Sequence, residues 1–579
     1  MMKTLIVILT GLLQQYPIMT PIYLIFHQPP QDDNAPRGRP AARGRPAARG
    51  RRGRGRGRVR GDNQRPPLDQ GWSYDMPTPN ILPFREDRGP KCNLAYDALE
   101  VDYLLACIGE DFFEKVANMT NLYAVYQSPP DNPDPADPLK TSDSHWTPTT
   151  TDEMKAYFAI MMLMGIKELP EYADYWSNDS ALGDQYVSSR MSRRRYESLS
   201  RYLHITDPNN ENKEDKLCKA RPFIDTLQDK FPKLFGPGPA LSIDEAMIKY
   251  NGRIKWKQYM PKKPTKWGMK LWCLCDASTG YCLKFDVYTG RSDDDAPDKG
   301  LAYQVVMGLM EKFILSNHQL FCDNFFTSLD LVRDLKDADT YYCGTVRKNR
   351  KGLPKSIDEP RLAPGESVKM ATDRDIIFCR WKDKRDVYLV SSNNDGSDTE
   401  KPRTRHRQDE MIQIPTMVVD YNKNMGGVDH LDQYRSYYNL GRAGKKWWKY
   451  LVFALLNIAV VNAYILWYSS RMPLPKNKRK WSLKTFKLRI VHQLADNFSS
   501  RKRKCSWEGR EIQKVIERNI MPGHDLVRFD GRKRACQWCL KEKKRTASDR
   551  CVVSSFGCSH CRVNLCRDGD CYVKFHGII

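Results

Sequence analysis

Apolar residues recur at helical spacing in the first part of the chain that can build a core. Three stretches place apolar side chains three or four positions apart, with polar breaks between them, at residues 95–119, 150–166 and 191–205. This pattern predicts a mostly helical domain over residues 91–236. Arginines are mixed with tyrosines in the third stretch, which suits either a helix laid on a phosphate backbone or a solvated outer face.

Short apolar runs bounded by turn signals replace the helical pattern from residue 240 onward. They are rich in β-branched and aromatic residues and cover residues 240–250, 266–276, 281–290, 318–328 and 340–346. Helical patterns at 300–314 and 329–337 lie between the later runs. Neighbouring strands followed by a crossover helix and a further strand predict a mixed α/β sheet over residues 237–346.

Residues 347–414 break this rhythm with charged loops around short strands, which indicates an inserted, β-rich subdomain. The sheet domain is predicted to resume over residues 415–472 and to end in a long apolar helix at 447–468. A membrane span is one interpretation of that helix. Asn457 and Asn462 interrupt it, however, and a buried helix explains the pattern better, so we expect no membrane partner.

The first 90 residues are predicted to be a disordered, arginine- and glycine-rich arm behind a hydrophobic leader, because they lack the apolar content of a folded core. The sequence RGRP occurs at 37–40 and 43–46 and resembles an AT-hook, which binds A·T-rich minor grooves. A generic polybasic or RNA-binding tail is an equally good interpretation. The leader, residues 1–13, resembles a signal peptide, but a dispensable leader or a misplaced start codon is favoured, since nothing downstream looks built for export.

The net charge of +24 narrows the choice of partner. Residues 37–60 hold eleven arginines and no acid, so the remainder of the chain still carries +13. Such a field attracts polyanions, of which nucleic acid is the commonest large one, although an anionic membrane surface would also fit.

Carboxylates stand in apolar surroundings at three places. Asp244 lies within a predicted strand, Asp323 ends another, and Asp429 opens a predicted helix with Asp432 three positions later. Buried carboxylates that converge repel one another. Two Mg²⁺ or Mn²⁺ ions about 4 Å apart would offset this repulsion and support in-line displacement at phosphorus. On spacing alone, a competing interpretation remains open, in which Asp429 is an N-cap and Asp432 is a first-turn acid.

The segments SIDEAM, FCDNFFTS and NMGGVDHLDQY occur in this order behind a helical region and before a cysteine-rich end, and together they resemble the piggyBac family of transposases over about residues 90–579. The resemblance implies an RNase H-like catalytic domain with an insertion, whose metal-binding aspartates are Asp244, Asp323 and Asp429. Asp432 matches an additional family aspartate. A family tryptophan falls near Trp447 or Trp448.

The same resemblance implies metal-dependent cleavage and strand transfer at transposon terminal inverted repeats, through a hairpin, with joining to a TTAA target. It also implies a dimer, since two transposon ends must be brought together. Basic runs at 475–480 and 501–504 are similar to nuclear-import signals, and we expect a nuclear protein.

The chain is predicted to end in a basic linker or helical segment, 473–530, and a cysteine-rich domain, 531–579. Two C-x2-C pairs separated by eighteen residues are a strong Zn²⁺ signal. Eight candidate ligands indicate two structural ions, and they are Cys536, Cys539, Cys551, Cys558, Cys561, Cys566, Cys571 and His576. His560 could replace a ligand, and disulfides are the competing interpretation.

Two rival functions remain open from the sequence. A domesticated derivative would keep the fold for DNA binding and move no DNA. An RNA-binding protein led by the arginine-rich arm is the other, and relative affinity for A·T-rich duplex DNA and RNA would separate it from both.

Overall fold

The structure is a computed structural model that describes residues 71–95, 97–290, 299–405, 408–440, 446–472, 482–495, 498–499, 524–546, 549–567 and 571–576. The chain forms two compact units. The first is drawn from residues 1–187 and 193–498, and the second from 188–192 and 499–579. The predicted leader and both RGRP motifs lie outside the described residues.

Residues 71–90, which the sequence assigns to the disordered arm, are part of the first unit. Trp72 is buried, and its indole nitrogen donates a hydrogen bond to the Gly352 carbonyl at 3.0 Å. Ser73 forms an isolated bridge with Ala371. These contacts tie the Pro- and Gly-rich segment to the fold, so the predicted boundary at residue 90 is too late.

The helices of the first unit precede, interrupt and follow its strands. In the described residues they are α1 (Glu100–Ile108), α2 (Phe112–Gln127), α3 (Thr151–Ile166), α4 (Gln185–Arg190), whose last three residues are assigned to the second unit, α5 (Arg193–Tyr202), α6 (Arg221–Leu234), α7 (Leu301–Met310), α8 (Leu329–Asp337), α9 (Thr416–Asn424), α10 (Gly427–Tyr437), α11 (Trp447–Ser469) and α12 (Leu483–Ala495). Short 3-10 helices lie at Tyr172–Trp176 and Ser356–Asp358.

A nine-stranded mixed sheet forms the centre of the first unit. The strands of the unit are β1 (Gly89–Pro90), β2 (Phe235–Gly236), β3 (Ala240–Lys249), β4 (Gln258–Tyr259), β5 (Trp267–Asp276), β6 (Cys282–Val287), β7 (Gln319–Cys322), β8 (Tyr341–Thr345), β9 (Ser367–Ala371), β10 (Ile377–Lys382), β11 (Asp386–Ser391), β12 (Asp398–Arg405) and β13 (Gln408–Pro415). The sheet order is β4-β5-β3-β7-β8-β11-β10-β9, with β6 also on β5. Strands β3, β7 and β8 are parallel neighbours, and the other pairs are antiparallel.

The segment predicted as an insertion, 347–414, does not form a separate sheet. Its strands β9, β10 and β11 extend the central sheet from β8, and only the β12–β13 ribbon is paired apart from it. Cys379, Leu389 and Phe321 share one buried cluster across this junction. The charged loops predicted a separate subdomain, but strand pairing depends on distant partners that a local pattern does not identify.

The helical region is likewise continuous with the sheet region. Helix α11 packs on α1, α6 and β3, and α12 packs on α3. Because α11 is apolar around its whole circumference, it needs neighbours on every side, which the N-terminal helices supply. Residues 483–495, predicted within a basic linker or helical segment, form a helix of the core.

Among the described helices, only α11 is long and apolar enough to cross a membrane. Of an apolar 18-residue stretch of this helix, 89% is buried inside the fold. The predicted buried helix is confirmed. Its asparagines are both hydrogen-bonded: Asn462 pairs with the backbone N–H and C=O of Cys282 at 2.9 and 2.8 Å, and Asn457 donates to the Arg435 carbonyl at 2.8 Å.

The described residues of the second unit form two short antiparallel ribbons and two short helices. The ribbons are β14 (Leu526–Arg528) with β17 (Phe556–Cys558), and β15 (Arg534–Ala535) with β16 (Val553–Ser554); the helices are α13 (Gln537–Lys541) and α14 (Cys571–Phe575). Its small core is built largely from cysteines around Leu565 and Tyr572. So little apolar material makes metal ligation the natural source of stability.

Candidate active site and metal centres

Asp244 and Asp323 lie side by side at equivalent levels of two parallel strands. In the register of β3 and β7, Ile243 is the partner of Cys322, and each aspartate is the next residue. The Asp323 carboxylate accepts a hydrogen bond from the Phe325 amide at 2.8 Å, which orients it in the turn after β7. Apolar residues anchor both strands, so the two carboxylates stand on rigid elements.

Helix α10 brings Asp429 to the same region. A Cβ at Gly427 would lie only 2.4 Å from the Ser242 hydroxyl, so glycine is needed for the helix to begin directly on β3. Farther along, Arg435 donates to the Met247 carbonyl at 3.1 Å. Gly426 occupies the N-cap position, and Asp429 therefore lies in the first turn and is not the N-cap that spacing left open.

Asp432 is held by its own helix. Arg435 donates to its carboxylate at 2.7 Å. One guanidinium therefore contacts both the Asp432 carboxylate and the Met247 carbonyl of β3.

A lysine lies among these acids. Lys263 Nζ is 2.9 Å from the Glu245 carbonyl and 3.5 Å from Asp244 Oδ2. Burial alone would lower the pKa of Lys263, but the charge of Asp244 and of three neighbouring acids raises it above the ordinary value. The neighbours are Glu245, Asp429 and Asp432.

Burial dominates the electrostatics of the three aspartates. It raises the pKa of Asp244 to about 8, with Lys263 opposing the shift and Glu245 and Asp323 adding to it. Burial also raises the pKa of Asp323 and of Asp429. In the part of the chain that is described, the aspartate oxygens do not form a group within 4.8 Å, and the ammonium of Lys263 lies beside them.

Glu245, beside Asp244, is engaged elsewhere. Lys270 Nζ lies 3.9 Å from its carboxylate, and the same ammonium lies 4.7 Å from the centre of the Phe325 ring. Glu245 therefore has a cationic neighbour of its own, and it stays outside the ligand set expected from the sequence.

A buried polar chain behind α10 had no signal in the sequence. Lys487, on α12, is 1% exposed and donates to Asn457 Oδ1 at 2.7 Å and to the Tyr438 carbonyl at 2.6 Å. Asn457 in turn donates to the Arg435 carbonyl. This chain links α12 and α11 to the C-terminal end of the helix that carries Asp429.

The two adjacent tryptophans near the family position have different environments. Trp448 is 3% exposed, and its ring packs edge-on to His204. Trp447 is half-buried, with its ring 5.4 Å from Trp256. Of the two, Trp447 is the one accessible to a ligand.

Eight cysteine and histidine side chains of the second unit form two groups of four. Within each group the ligand atoms all lie within 4.8 Å of one another; the groups are Cys536, Cys539, Cys566 and Cys571, and His524, Cys558, Cys561 and His576. Their order along the chain alternates between groups, so the two sites are interleaved as the predicted cross-braced arrangement requires.

The distances within each group match a tetrahedral ion. Bonds of about 2.3 Å to sulfur and about 2.0 Å to nitrogen place two sulfurs about 3.8 Å apart and sulfur about 3.5 Å from nitrogen. Cys539 Sγ lies 3.7 Å from Cys566 Sγ, and Cys561 Sγ lies 3.5 Å from His524 Nδ1. The donor sets therefore fit zinc.

Tyr572 contacts both histidines of the second group, one through its backbone and one through its hydroxyl. Its hydroxyl donates to the His524 carbonyl at 2.6 Å, and His576 Nδ1 lies 2.7 Å from the Tyr572 carbonyl. Since a carbonyl only accepts, His576 Nδ1 carries the proton, and Nε2, 3.5 Å from Cys561 Sγ, keeps its lone pair for a metal.

The ligand set expected from the sequence needs one exchange. Cys551 belongs to neither group, and its sulfur accepts from Arg545 at 3.3 Å. His524 takes the eighth place, although it precedes the predicted domain boundary at 531. His560 packs against His524 with ring centres 4.4 Å apart and is not in a group. Only its residue type could have suggested His524 as a ligand. No spacing rule links a histidine twelve residues before Cys536 to this site.

A family model described as Transposase IS4 matches residues 100–464, well over half of the chain. The chain therefore belongs to this family of transposases. The match includes all four aspartates and ends within α11.

The piggyBac resemblance is confirmed by relatives and by fold. Human PiggyBac transposable element-derived protein 3 is 26% identical over 440 residues, 74% of this chain and 70% of the relative. Human PiggyBac transposable element-derived protein 2 is 28% identical over 331 residues, and this chain spans only 55% of its length. A cryo-electron-microscopy structure of the piggyBac transposase synaptic complex with hairpin DNA has a TM-score of 0.63 at 24% identity, covering 84% of this chain and all of that one.

Proposed function

We propose that this protein is a piggyBac-type DNA transposase whose Asp244, Asp323 and Asp429 bind divalent ions for phosphodiester cleavage and strand transfer. The observation that carries the proposal is the placement of Asp244 and Asp323 at one level of parallel strands β3 and β7, with Asp429 on the helix docked against β3. Acids at one level of neighbouring parallel strands, with a further acid from a packed helix, are what an RNase H-like site requires.

The residues present fit Mg²⁺ or Mn²⁺. Carboxylate oxygens are hard ligands, and the ammonium already lying among them indicates that a cation is favourable there. A divalent pair, when bound, would activate the attacking oxygen and stabilise the leaving one. Asp244 and Asp323 would hold the ions from rigid strands, and Gly427, Arg435 and the Asn457 chain would keep Asp429 in register with them.

The rest of the proposal follows the family. We infer that the substrate is double-stranded DNA at terminal inverted repeats, that the product joins a TTAA target, and that a nuclear homodimer acts. The second unit, with two structural Zn²⁺ ions, would contact DNA through its surrounding lysines and arginines. Affinity of the arginine-rich arm for A·T-rich DNA is part of the same proposal.

A domesticated DNA-binding protein is the second candidate. The observation that favours it is that the human relatives are named as transposable element-derived proteins. Intact aspartates distinguish it poorly from an active enzyme, because a recently captured copy would retain them.

Excision of a donor plasmid carrying the flanking terminal repeats, in Mg²⁺, tests the proposal. The Asp323→Asn variant should excise nothing while binding the repeats normally. The matched control is Asp330→Asn, which changes an exposed aspartate seven residues away and should excise like the parent. Equal excision by Asp323→Asn would refute the assigned site, and binding without excision by the unaltered protein would favour domestication.

A further inference from the structure

The hairpin that follows Asp244 in the sequence is strongly basic. Residues 246–275 contain eight lysines and arginines and no aspartate or glutamate. They are Lys249, Arg253, Lys255, Lys257, Lys262, Lys263, Lys266 and Lys270. This stretch covers the last four residues of β3, the connection to β5, and all of β5 except Asp276, so the positive charge lies on elements adjacent to the candidate active site.

Two aromatic rings stand on this hairpin with half of their surface in solvent. Tyr259 on β4 and Trp267 on β5 are Cα partners, which places their side chains on one face of the ribbon. Their ring centres are 4.5 Å apart with planes inclined by 34°. Tyr259 is 52% and Trp267 49% exposed, and Lys257 Nζ lies 5.2 Å from the centre of the Trp267 ring.

We propose that Tyr259 and Trp267 form a stacking platform for an unpaired DNA base. An aromatic face attracts any base without regard to sequence, and surrounding cations hold the backbone to which that base is attached. Both components are present here. The proposal deepens the proposed function by naming unpaired nucleotides near the reacting phosphate as part of the substrate.

The register of β3 and β5 sets the distance between platform and acids. Asp244 is the partner of Cys273, six positions from Trp267 on β5. Six residues of strand span about 20 Å, which equals roughly six nucleotides at the 3.4 Å rise of one DNA strand. Lys263, in the turn between the two rings, reaches back to Asp244. A DNA strand whose phosphate lies at the acids would therefore place bases at the platform within one short segment.

The charge argues against a second copy of this chain as the occupant. A like surface would bring eight more cations onto the same hairpin, and the chain as a whole carries +24. A polyanion with exposed ring faces satisfies both the lysines and the aromatic pair, and DNA that is locally unpaired has both features.

Binding in the Asp323→Asn background without divalent ion tests the platform separately from cleavage. The probes are one duplex with blunt ends and the same duplex with a single-stranded extension of about eight nucleotides, in which 2-aminopurine reports stacking by loss of fluorescence. Tyr259→Leu and Trp267→Leu should each weaken binding of the extended duplex about tenfold and restore the fluorescence, with blunt binding unchanged. Tyr74→Leu, at an equally exposed tyrosine beside Asp75, should change neither.

Conservative variants guard against a folding artefact. Trp267→Phe and Tyr259→Phe keep a ring and should keep most of the fluorescence loss. Equal weakening on blunt and extended DNA, loss of signal in the Phe variants, or a changed oligomeric state in the Leu variants would overturn the platform. Failure of the excision experiment alone would not, because the binding assay requires no cleavage.

Discussion

The Lys263 ammonium lies 3.5 Å from Asp244 Oδ2, inside the group of acids expected to bind divalent ions. Its side chain is 24% and that of Asp244 16% exposed, so the pair is only partly screened by water. A metal ion at these acids would take over the charge balance that Lys263 supplies in the metal-free protein.

We predict that Lys263→Met lowers the free energy of unfolding of the metal-free protein by on the order of 1 to 2 kcal/mol, because the acids lose their counter-charge. Mn²⁺ should recover this loss, and the variant should bind Mn²⁺ more tightly than the parent. Thermal unfolding with and without Mn²⁺, and a direct binding titration, measure both effects. The control is the exposed Lys266→Met. Unchanged stability and Mn²⁺ affinity in Lys263→Met would contradict the role assigned to this contact.

The two interleaved groups predict the zinc content. The second unit should carry two Zn²⁺ ions, His524→Ala should reduce the content to one, and Cys551→Ser should leave it at two. Native mass spectrometry counts the ions directly. A loss of zinc in Cys551→Ser, together with full content in His524→Ala, would restore the ligand set expected from the sequence.

Burial lowers the pKa of Lys487 from 10.5 to about 7, which makes it a source of pH-dependent stability. Between these values the unfolded chain binds more protons at this site than the folded chain, so stability should rise with pH across the window. The contribution is complete above 10.5 and is lost as pH falls toward 7. Between pH 7 and 9 the rise should be about 2 kcal/mol.

Urea unfolding of Lys487→Met should lack this component of the rise, because methionine does not titrate. Lys484→Met, at an exposed position of the same helix, should keep it. Parallel stability curves for Lys487→Met and the parent would show that Lys487 keeps its ordinary pKa in the fold.

Local sequence patterns predicted the strands and the helix that carry the candidate acids. They did not predict which residues contact those acids. Asp244 in an apolar strand, Asp323 at a strand end and a helix behind Gly427 are all short-range signals. Lys263 reaches its acids from nineteen residues away, and Lys487 reaches Asn457 across thirty. Neither contact has a periodicity or a spacing that a sequence pattern could reveal.

The cysteine-rich end shows the same division. The C-x2-C pairs marked the candidate metal ligands by local chemistry, because two thiolates at that spacing can reach one ion. Which pairs share an ion, and that His524 completes a site, depends on how the ribbons bring residues 524, 558 and 576 together. The pairing of β8 with β11 also joins residues far apart in the sequence. A local pattern therefore could not predict that strands of the expected insertion extend the central sheet.

Asn462 offers the sharpest test of how α11 is accommodated. Its amide donates to the Cys282 carbonyl and accepts from the Cys282 N–H, and all three groups are buried. Asn462→Leu should lower the free energy of unfolding by about 2 to 4 kcal/mol, because two buried backbone groups of β6 lose their partner. Asn462→Asp should also destabilise, since a carboxylate cannot donate to the carbonyl. Urea unfolding measures each change, with the exposed Asn422→Leu as control. If greater apolarity alone governed this helix, Asn462→Leu would instead be as stable as the parent or more so.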